Sequence, residues 1–393
     1  MKKTYLDNGA TSFPKPKEVI ASMTNYMSSI GGNVNRGSYK NSFDAENTVY
    51  ETRELLCKFF NFSKPENVIF TSGITESLNV ILKGLFNAGD HIIVSSMEHN
   101  AVLRPLNSIS KLGVEYTAVP CNSNGELDVA QLKNYMKLNT KALVMTHSSN
   151  VCGTLLPFKS IGKFCRDNHL YFIADTAQTA GAIPIDMKDL NIDILCFTGH
   201  KSLLGPQGIG GFLISEELSK ITRPLLEGGT GSFSEYEYQP SYMPDKFEGG
   251  TPNVPGIYGL NAGIKYINSI GINEIQRHEE HLTQLFIDKA MDIPEAEVIG
   301  LPSSKGRTAV VSLNFKNYDN GEIAYYLDKD YGISVRCGLH CAPLAHKTLN
   351  TFPYGTVRFS FGLFNTTDDI NYAIDSIKKV IAKIYWLINY YVS

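Results

Sequence analysis

Lys201 stands at a position where a lysine can do chemistry. It follows the apolar run Ile194-Leu195-Cys196-Phe197 and precedes a glycine-rich stretch, 205–211, which we interpret as a turn. Most lysines are solvated surface charges, but a lysine held between the end of a strand and a turn can have its pKa lowered. Its amine can then form a Schiff base with an aldehyde cofactor.

Two further strand ends carry groups with complementary chemistry. Asp175 ends the preceding apolar run, where a carboxylate is either a cap for the next helix or the charge partner of a cationic ligand atom. The segment 71–77 opens a helix whose free N–H groups, with Gly73 and Thr75, suit a phosphate, although such a sequence is also an ordinary helix cap. A lysine, a carboxylate and a phosphate site together match what pyridoxal 5'-phosphate (PLP) requires of a protein.

A second group of reactive residues occurs near the C-terminal end, in the stretch Ser334-Val335-Arg336-Cys337-Gly338-Leu339-His340-Cys341. A thiol beside arginine and histidine can be held as a reactive thiolate. Two alternatives stay open. A cysteine can simply be a small apolar residue, which is our interpretation of five others: Cys57, Cys121, Cys152, Cys165 and Cys196. The second alternative is zinc, although the spacing matches no common structural site well; its ligands would be Cys337, His340, Cys341 and His346.

These side chains need a scaffold that brings strand ends together, and the first two thirds of the chain predict one. Short apolar runs at 67–70, 91–94, 142–145, 171–174 and 194–197 alternate with helical patterns, for example at 75–86 and 158–168. This order predicts an α/β fold with a mostly parallel sheet. Such sheets bind their ligands at the carboxyl ends of the strands.

The last quarter of the chain has a different pattern. Helices over 256–269 and from a turn at Gly271 to about Met291 lead to Pro294, and beyond it we predict a smaller α+β domain. Its predicted elements are strands at 308–313, 333–336 and 356–361 and a helix at 321–331. The predicted division is an N-terminal segment at 1–20, a large domain at 21–293 and a small domain at 294–393.

The composition of the 393 residues excludes several classes of protein. Hydrophobic residues make up 43% and charged residues 19%, as in an ordinary folded protein. The net charge of -3 argues against nucleic acid as the main partner. Seven sparse cysteines favour a reducing cytoplasm. We expect no membrane partner, because the N-terminus lacks an apolar signal stretch and the apolar segment 377–392 is interrupted by lysines.

Together these motifs resemble those of the class V aminotransferase-fold enzymes of the cysteine desulfurase and selenocysteine lyase group. The resemblance is to the short-loop (group II) desulfurases of the SUF pathway, and it runs from Tyr5-Leu6-Asp7-Asn8-Gly9-Ala10 to Asn365 with the motifs in the family's order. It implies PLP-dependent transferase fold type I, in which a large domain with a seven-stranded sheet binds PLP. It also implies a smaller C-terminal α+β domain and a homodimer with composite active sites.

The resemblance further implies roles for individual residues. Lys201 would form the Schiff base, Asp175 and Gln178 would contact the pyridine nitrogen and the ring oxygen, and His99 would stack on the ring. The cofactor's phosphate would lie among residues of several segments, namely Gly73, Ile74, Thr75, Thr198, His200 and, from the other subunit, Thr251. The amino-acid substrate would contact Asn150, Arg336, Arg36 and Arg358, the last pairing with its carboxylate.

Cys341 aligns with the catalytic cysteine of the family's Gly-x-His-Cys-Ala loop. The implied activity is conversion of L-cysteine to L-alanine, in which Lys201 removes the Cα proton and the Cys341 thiolate takes the sulfur as a persulfide. The sulfur would serve the synthesis of iron-sulfur clusters or of another sulfur or selenium cofactor. Because a short cysteine loop has limited reach, a dedicated sulfur-acceptor protein is expected.

Two departures from the better-known relatives leave alternatives open. Cys337 stands where they commonly have threonine, and Asn35 stands where they commonly have histidine. Cys337 is either a small filler or a second thiol that exchanges sulfur with Cys341. The substrate is L-cysteine or L-selenocysteine, or another small amino acid in a β-elimination or transamination. A different class of function is a sulfur-carrier or metal-binding module with an idle PLP site.

Overall fold

The computed structural model of the protein describes residues 3–34, 37–232 and 235–392. Its strands are β1 (Thr4–Tyr5), β2 (Val68–Thr71), β3 (His91–Ser95), β4 (Glu115–Val119), β5 (Thr140–Thr146), β6 (Tyr171–Asp175), β7 (Ile194–Thr198), β8 (Gly210–Ile214), β9 (Ala296–Ile299), β10 (Val310–Phe315), β11 (Ile333–Ser334), β12 (Arg336–Gly338) and β13 (Thr356–Ser360). Its helices are α1 (Lys17–Asn25), α2 (Lys40–Phe60), α3 (Ile74–Leu85), α4 (Asn100–Ser110), α5 (Phe158–Asp167), α6 (Glu216–Ile221), α7 (Val254–Ile270), α8 (Ile272–Met291), α9 (Asn320–Tyr331), α10 (Pro343–Thr348) and α11 (Thr367–Val392).

The centre of the molecule is a seven-stranded sheet in the order β2-β8-β7-β6-β5-β3-β4. Strand β8 is antiparallel to both of its neighbours, and the other neighbouring pairs are parallel. Successive residues of a strand pack into hydrophobic cores on opposite faces of this sheet. Ile93 packs on one face with α2, α5 and α7, and Ile92 packs on the other face with α3 and α4. The predicted α/β fold with a mostly parallel sheet is confirmed.

Two strands of this sheet were not predicted from the sequence. Strand β4 is an edge strand with several half-exposed side chains, so it lacks the continuous apolar run used to find the others. The interpretation of Gly210 and Gly211 as part of a turn is wrong, since both begin β8. A Cβ atom on Gly210 would lie 2.6 Å from the Cα of Gly73, and one on Gly211 would lie 2.2 Å from the carbonyl oxygen of Ile69. These glycines therefore allow β8 to approach the segment that opens α3.

The C-terminal region contains an antiparallel sheet in the order β12-β13-β10-β9. Helices α8, α9 and α11 pack on it around a separate core that includes Phe286 and Phe359. The single strand predicted at 333–336 is wrong, because β11 pairs with β1 and only β12 joins β13. The N-terminal segment is thereby attached to this region. None of the helices described has the length and apolar character needed to cross a membrane.

Candidate functional site

A cavity of about 410 Å³ opens at the carboxyl ends of β5, β6 and β7. It brings together ten of the residues predicted from the sequence, which come from five separate segments: Gly73, Ile74, Thr75, His99, Asn150, Asp175, Gln178, Thr198, His200 and Lys201. Because parallel strands end at the same edge of a sheet, side chains far apart in the sequence meet there. The geometry therefore supports one site built from these segments.

Lys201 and Asp175 are the charged pair of this cavity. Burial and, to a smaller extent, the charge of Arg358 lower the pKa of Lys201 to about 8, against the opposing effect of Asp175. Asp175 ends β6 and is 3% exposed, and burial raises its pKa although the Ala177 N–H donates to Oδ1 at 2.9 Å. The cavity thus holds an amine that loses its proton readily and a buried carboxylate that lacks a partner for Oδ2 among the described residues.

The segment that opens α3 presents hydrogen-bond donors to the same cavity. Glu76 accepts bonds from the N–H and the hydroxyl of Ser72 at 2.7 and 2.6 Å. The N-cap residue is Gly73, and no side chain of the described residues caps α3, so the alternative of a serine or threonine cap is wrong. The N–H groups of Ile74 and Thr75 have no acceptor in the described part of the chain. Nδ1 of His200, a buried atom, has no partner there either. These donors, with the α3 dipole, suit an anion of phosphate size.

His99 follows β3 and caps α4. Its Nδ1 accepts a hydrogen bond from the Ala101 N–H at 3.0 Å, which leaves the proton of the neutral ring on Nε2. Burial lowers the pKa of His99 to about 4, and the nearby charges of Lys201, Arg358 and Arg104 act in the same direction. At neutral pH the ring is therefore uncharged.

Glu98 positions this histidine and was missed by the sequence analysis. It is fully buried and accepts hydrogen bonds from the N–H groups of Ser95 and Thr146, at 3.3 and 3.0 Å. Burial and, to a smaller extent, the charge of Asp175 raise its pKa to about 8, against the effect of these hydrogen bonds. Glu98 therefore fastens the loop after β3 to the end of β5. A carboxylate directly after a buried strand was the available signal.

The arginines predicted to bind the substrate lie beside the cavity. Arg358 is 2% exposed and donates to the carbonyl oxygen of Asn150 and to Asp7, both at 2.9 Å, while its Nε has no described partner. Arg336 lies opposite Arg358 in the sheet and also binds Asp7, at 2.8 Å. Asp7 was missed as a functional residue, although it belongs to the N-terminal motif.

Cys341 is exposed in a turn that the cavity walls hold in place. The side-chain amide of Asn150 donates to the carbonyl oxygen of His340 at 2.6 Å, and the Asn100 N–H donates to that of Cys341 at 2.8 Å. Burial lowers the pKa of His340 to about 2, so its ring is neutral. The turn is thus fixed beside His99 and Asn150, and its thiol faces solvent.

Cys337 lies on the opposite face of β12 from Arg336. It pairs with Val357, which belongs to the core of the C-terminal region, whereas Arg336 pairs with Arg358 on the face that carries Asp7. Burial raises the pKa of Cys337, and Asp319 adds to the shift. Cys337 is exposed, so it is not a buried filler, but its face of β12 is not the one that carries Arg336, Arg358 and Asp7.

The alternative zinc site finds no support in the arrangement of its ligands. Within 3–34, 37–232 and 235–392, no three histidine, cysteine or acidic side chains are grouped as a metal site requires. His340 and His346 instead contact the hydroxyls of Thr356 and Thr351, at 3.1 and 2.6 Å.

One predicted residue lies away from these contacts. Thr251 is exposed and lines a neighbouring cavity of about 220 Å³, which shares Ser72, Glu76 and Gly208 with the first. Arg36, with Asn35 before it, lies outside the residues that the structure describes.

Comparison with known proteins places these features in a family. The family model of class V aminotransferases matches residues 4–372. The chain is 33% identical over 380 residues to a probable cysteine desulfurase of Methanothermobacter thermautotrophicus, covering 96% of this chain and 94% of the relative. It is 34% identical over 392 residues to one of Borreliella burgdorferi, covering 97% and 92%.

Solved structures give the same picture. An apo cysteine desulfurase from Thermococcus onnurineus NA1 superposes with a TM-score of 0.91 at 33% identity, over 97% of this chain and 95% of that one. The cysteine desulfurase CsdA of Escherichia coli, in an S-sulfonic acid form, superposes with a TM-score of 0.86 at 29% identity, over 96% and 94%.

Proposed function

The chain belongs to the class V aminotransferase family, and on that premise we propose that it is a PLP-dependent cysteine desulfurase of the cytoplasm. The reaction is the conversion of L-cysteine to L-alanine, with the sulfur collected on Cys341. The observation that carries this proposal is the fixed position of the Cys341 turn, which is hydrogen-bonded to Asn150 and Asn100 at the edge of the Lys201 cavity. A lysine and an aspartate would serve any PLP-dependent enzyme, whereas a thiol held at the edge of this cavity would serve sulfur transfer.

The residues present fit the cofactor. Lys201 would hold it covalently, Asp175 would pair with the pyridine nitrogen, and Gln178 and His99 would contact the ring. The phosphate would be received by the N–H groups at the start of α3 and by Nδ1 of His200, which have no partner in the described ranges, with the hydroxyls of Thr75 and Thr198. When bound, PLP supplies an electron-withdrawing ring that stabilises negative charge at Cα of the substrate.

The phosphate site is the reason to propose a homodimer. Thr251 lines the adjacent cavity instead of the one that contains Lys201. In a dimer, Thr251 of a second copy would complete the phosphate contacts, as the resemblance implies.

The chain's own residues account for substrate binding and proton transfer. Arg358 would bind the substrate carboxylate, because its Nε has no partner among the described residues and each terminal nitrogen has a second N–H beyond the one donated to Asn150 or Asp7. Arg336 and Asn150 lie next to it, and Arg36 is proposed for the same site. Lys201, whose pKa is lowered to about 8, can accept the Cα proton at its Nζ near neutral pH.

Sulfur transfer is the step that uses Cys341. Its thiolate attacks the substrate sulfur, and the bond between that sulfur and Cβ breaks with its electron pair remaining on the carbon fragment. The sulfur stays on Cys341 as a persulfide, and protonation of the carbon fragment completes alanine. A reductant or an acceptor protein then removes the persulfide sulfur and restores the thiol.

The test is alanine formation from L-cysteine and from L-selenocysteine, in the presence of dithiothreitol. We expect the wild type to form alanine from L-cysteine, Cys341→Ala to lose this activity, and the neighbouring control Cys337→Ala to keep it. Alanine from L-selenocysteine alone would identify a selenocysteine lyase instead. No alanine from either substrate would overturn the proposal.

A further inference from the structure

The N-terminal segment contacts the backbone of Lys201, and the proposed function gives this contact no role. The carbonyl oxygen of His200 accepts hydrogen bonds from the Ser12 N–H and the Thr11 hydroxyl, both at 3.0 Å, and from the Lys15 ammonium at 2.6 Å. The carbonyl oxygen of Lys201 accepts one from the Ser12 hydroxyl at 2.9 Å. The two peptide units on either side of the Cα of Lys201 are therefore both held by this segment.

Lys15 is itself confined. Its ammonium also donates to the hydroxyl oxygen of Ser12 at 2.7 Å, and Pro14 and Pro16 restrict the backbone on either side. Burial lowers the pKa of Lys15 to about 8, and no carboxylate of the described residues contributes to the shift. A half-buried ammonium with no carboxylate partner among the described residues is costly. The hydrogen bonds that the Lys15 ammonium donates to the backbone of His200 and to Ser12 offset this cost.

The other end of the same segment reaches the substrate side of the site. Asp7 binds Arg358 and Arg336, and β1 pairs with β11 just before it. The residues between Asp7 and Lys15 thus connect the arginine proposed to bind the substrate carboxylate with the peptide that carries Lys201. This segment therefore contacts both the proposed substrate-binding arginine and the backbone of Lys201.

We propose that Ser12 and Lys15 are positioning residues for Lys201. This inference rests on the proposed function, because it takes Lys201 as the lysine that binds PLP and removes the Cα proton. The Lys201 amine must serve both tasks, so its side chain moves while its backbone has to stay fixed. A displacement of about 1 Å at a reacting group can lower a rate about 10²-fold, and the hydrogen bonds from Ser12 and Lys15 oppose such a displacement.

The experiment compares the full-length wild type with Lys15→Met, Lys15→Arg and Ser12→Ala. The matched control is Lys246→Met, because Lys246 is a buried lysine whose ammonium likewise donates to the backbone, to the carbonyl oxygens of Ser219 at 2.7 Å and of Lys220 at 3.0 Å. Each protein is stripped of cofactor and reloaded with PLP. The rate of Schiff-base formation is followed by its visible absorption, and kcat and KM for alanine formation are then measured.

We expect Lys15→Met to lower the rate of Schiff-base formation and kcat by about 10-fold or more, with KM changed less than about twofold. Lys15→Arg, which keeps a cationic donor, should recover most of both rates. Ser12→Ala should act in the same direction with a smaller effect. Lys246→Met should lower thermal stability and leave both rates unchanged.

Three results would overturn the inference. The first is that Lys15→Met and Ser12→Ala both form the Schiff base and alanine at wild-type rates. The second is that Lys246→Met loses as much of both rates as Lys15→Met does. The third applies if Lys15→Met does not fold, and it is that Ser12→Ala has wild-type rates. The proposed function fails separately. If the wild type forms no Schiff base, Lys201 is not the PLP-binding lysine and the premise fails. If the wild type forms the Schiff base but no alanine, only desulfuration is excluded. The rate of Schiff-base formation then still tests the role of Lys15.

Discussion

The two halves of the site are held in different ways. In the cofactor half, Asp175 ends β6 and Lys201 follows β7, and the backbones of both strands are hydrogen-bonded to strands on both sides. In the sulfur half, Cys341 lies in a turn outside the strands, where φ is +47° at His340 and +58° at Cys341. Such values cost about 1 to 2 kcal/mol for residues with a side chain. One half is positioned by a sheet, and the other is a strained turn.

The strained turn is kept in place by contacts with the cofactor half. The side chain of Asn150 and the backbone of Asn100 donate to the carbonyl oxygens of His340 and Cys341. A change in the cofactor half should therefore stop all of the chemistry. A change in these hydrogen bonds should affect the sulfur step and leave cofactor binding intact.

The largest effect is expected from Asp175→Asn. Removing the negative charge that faces Lys201 should lower alanine formation by about 10²- to 10³-fold and change the visible absorption of bound PLP. The control is Asp193→Asn, at the opposite edge of the sheet, where the carboxylate accepts the Phe172 N–H at 2.8 Å and burial likewise raises its pKa. Equal losses in the two variants would mean that Asp175 has only a structural role.

Asn150→Ala should have a smaller effect, located in the sulfur half. Loss of its hydrogen bond to the turn should lower kcat by about 10-fold, with PLP absorption unchanged. Without substrate, the rate of Cys341 alkylation by iodoacetamide should change as well, because the turn is released. Asn67→Ala is the control, since Asn67 also donates to a buried carbonyl oxygen, that of Ile214 at 2.9 Å. An unchanged alkylation rate in Asn150→Ala would show that this hydrogen bond does not hold the turn.

The same difference explains how much of the site could be predicted from the sequence. Lys201 and Asp175 follow apolar strands, so local patterns located them and the rule for parallel sheets brought them together. Asp7 and Glu98 were missed because their roles depend on contacts distant in the sequence, with Arg358 and Thr146. A pattern in the sequence locates the end of a strand, but it does not identify the distant residue that forms a hydrogen bond with a buried carboxylate.

Glu279, in α8, lies between the C-terminal sheet and the turn that follows β6. It is 8% exposed in a small cavity lined by Gln178, from the turn after β6, and Ser360 from β13, and burial raises its pKa to about 8. Below its ordinary pKa of 4.5 the group is protonated in both the folded and the unfolded state. As the pH rises toward 8, only the unfolded state ionises, so the folded state loses relative stability.

Glu279→Gln removes this pH dependence. The variant should exceed the wild type in free energy of unfolding by roughly 2 to 5 kcal/mol at pH 8, and the difference should vanish near pH 4. Urea unfolding at the two pH values measures it, with the less buried neighbour in Glu280→Gln as the control. A difference of the same size at both pH values would show that packing, and not ionisation, is its origin.

The smallest effect is expected from Cys337→Ser, which tests whether the sulfur half contains one working thiol or two. Cys337 faces the side of β12 that carries Val357, away from Arg336 and Asp7, and burial raises its pKa. A thiol in that position is a poor nucleophile, because only the thiolate reacts. We therefore expect alanine formation and sulfide release within about twofold of the wild type.

Mass spectrometry after one turnover should find the added sulfur on Cys341 in both proteins. Sulfur on Cys337 of the wild type, or a drop in sulfide with alanine unchanged in the variant, would mean that the turn rearranges during catalysis to bring the two thiols together. The tethers from Asn150 and Asn100 oppose such a rearrangement.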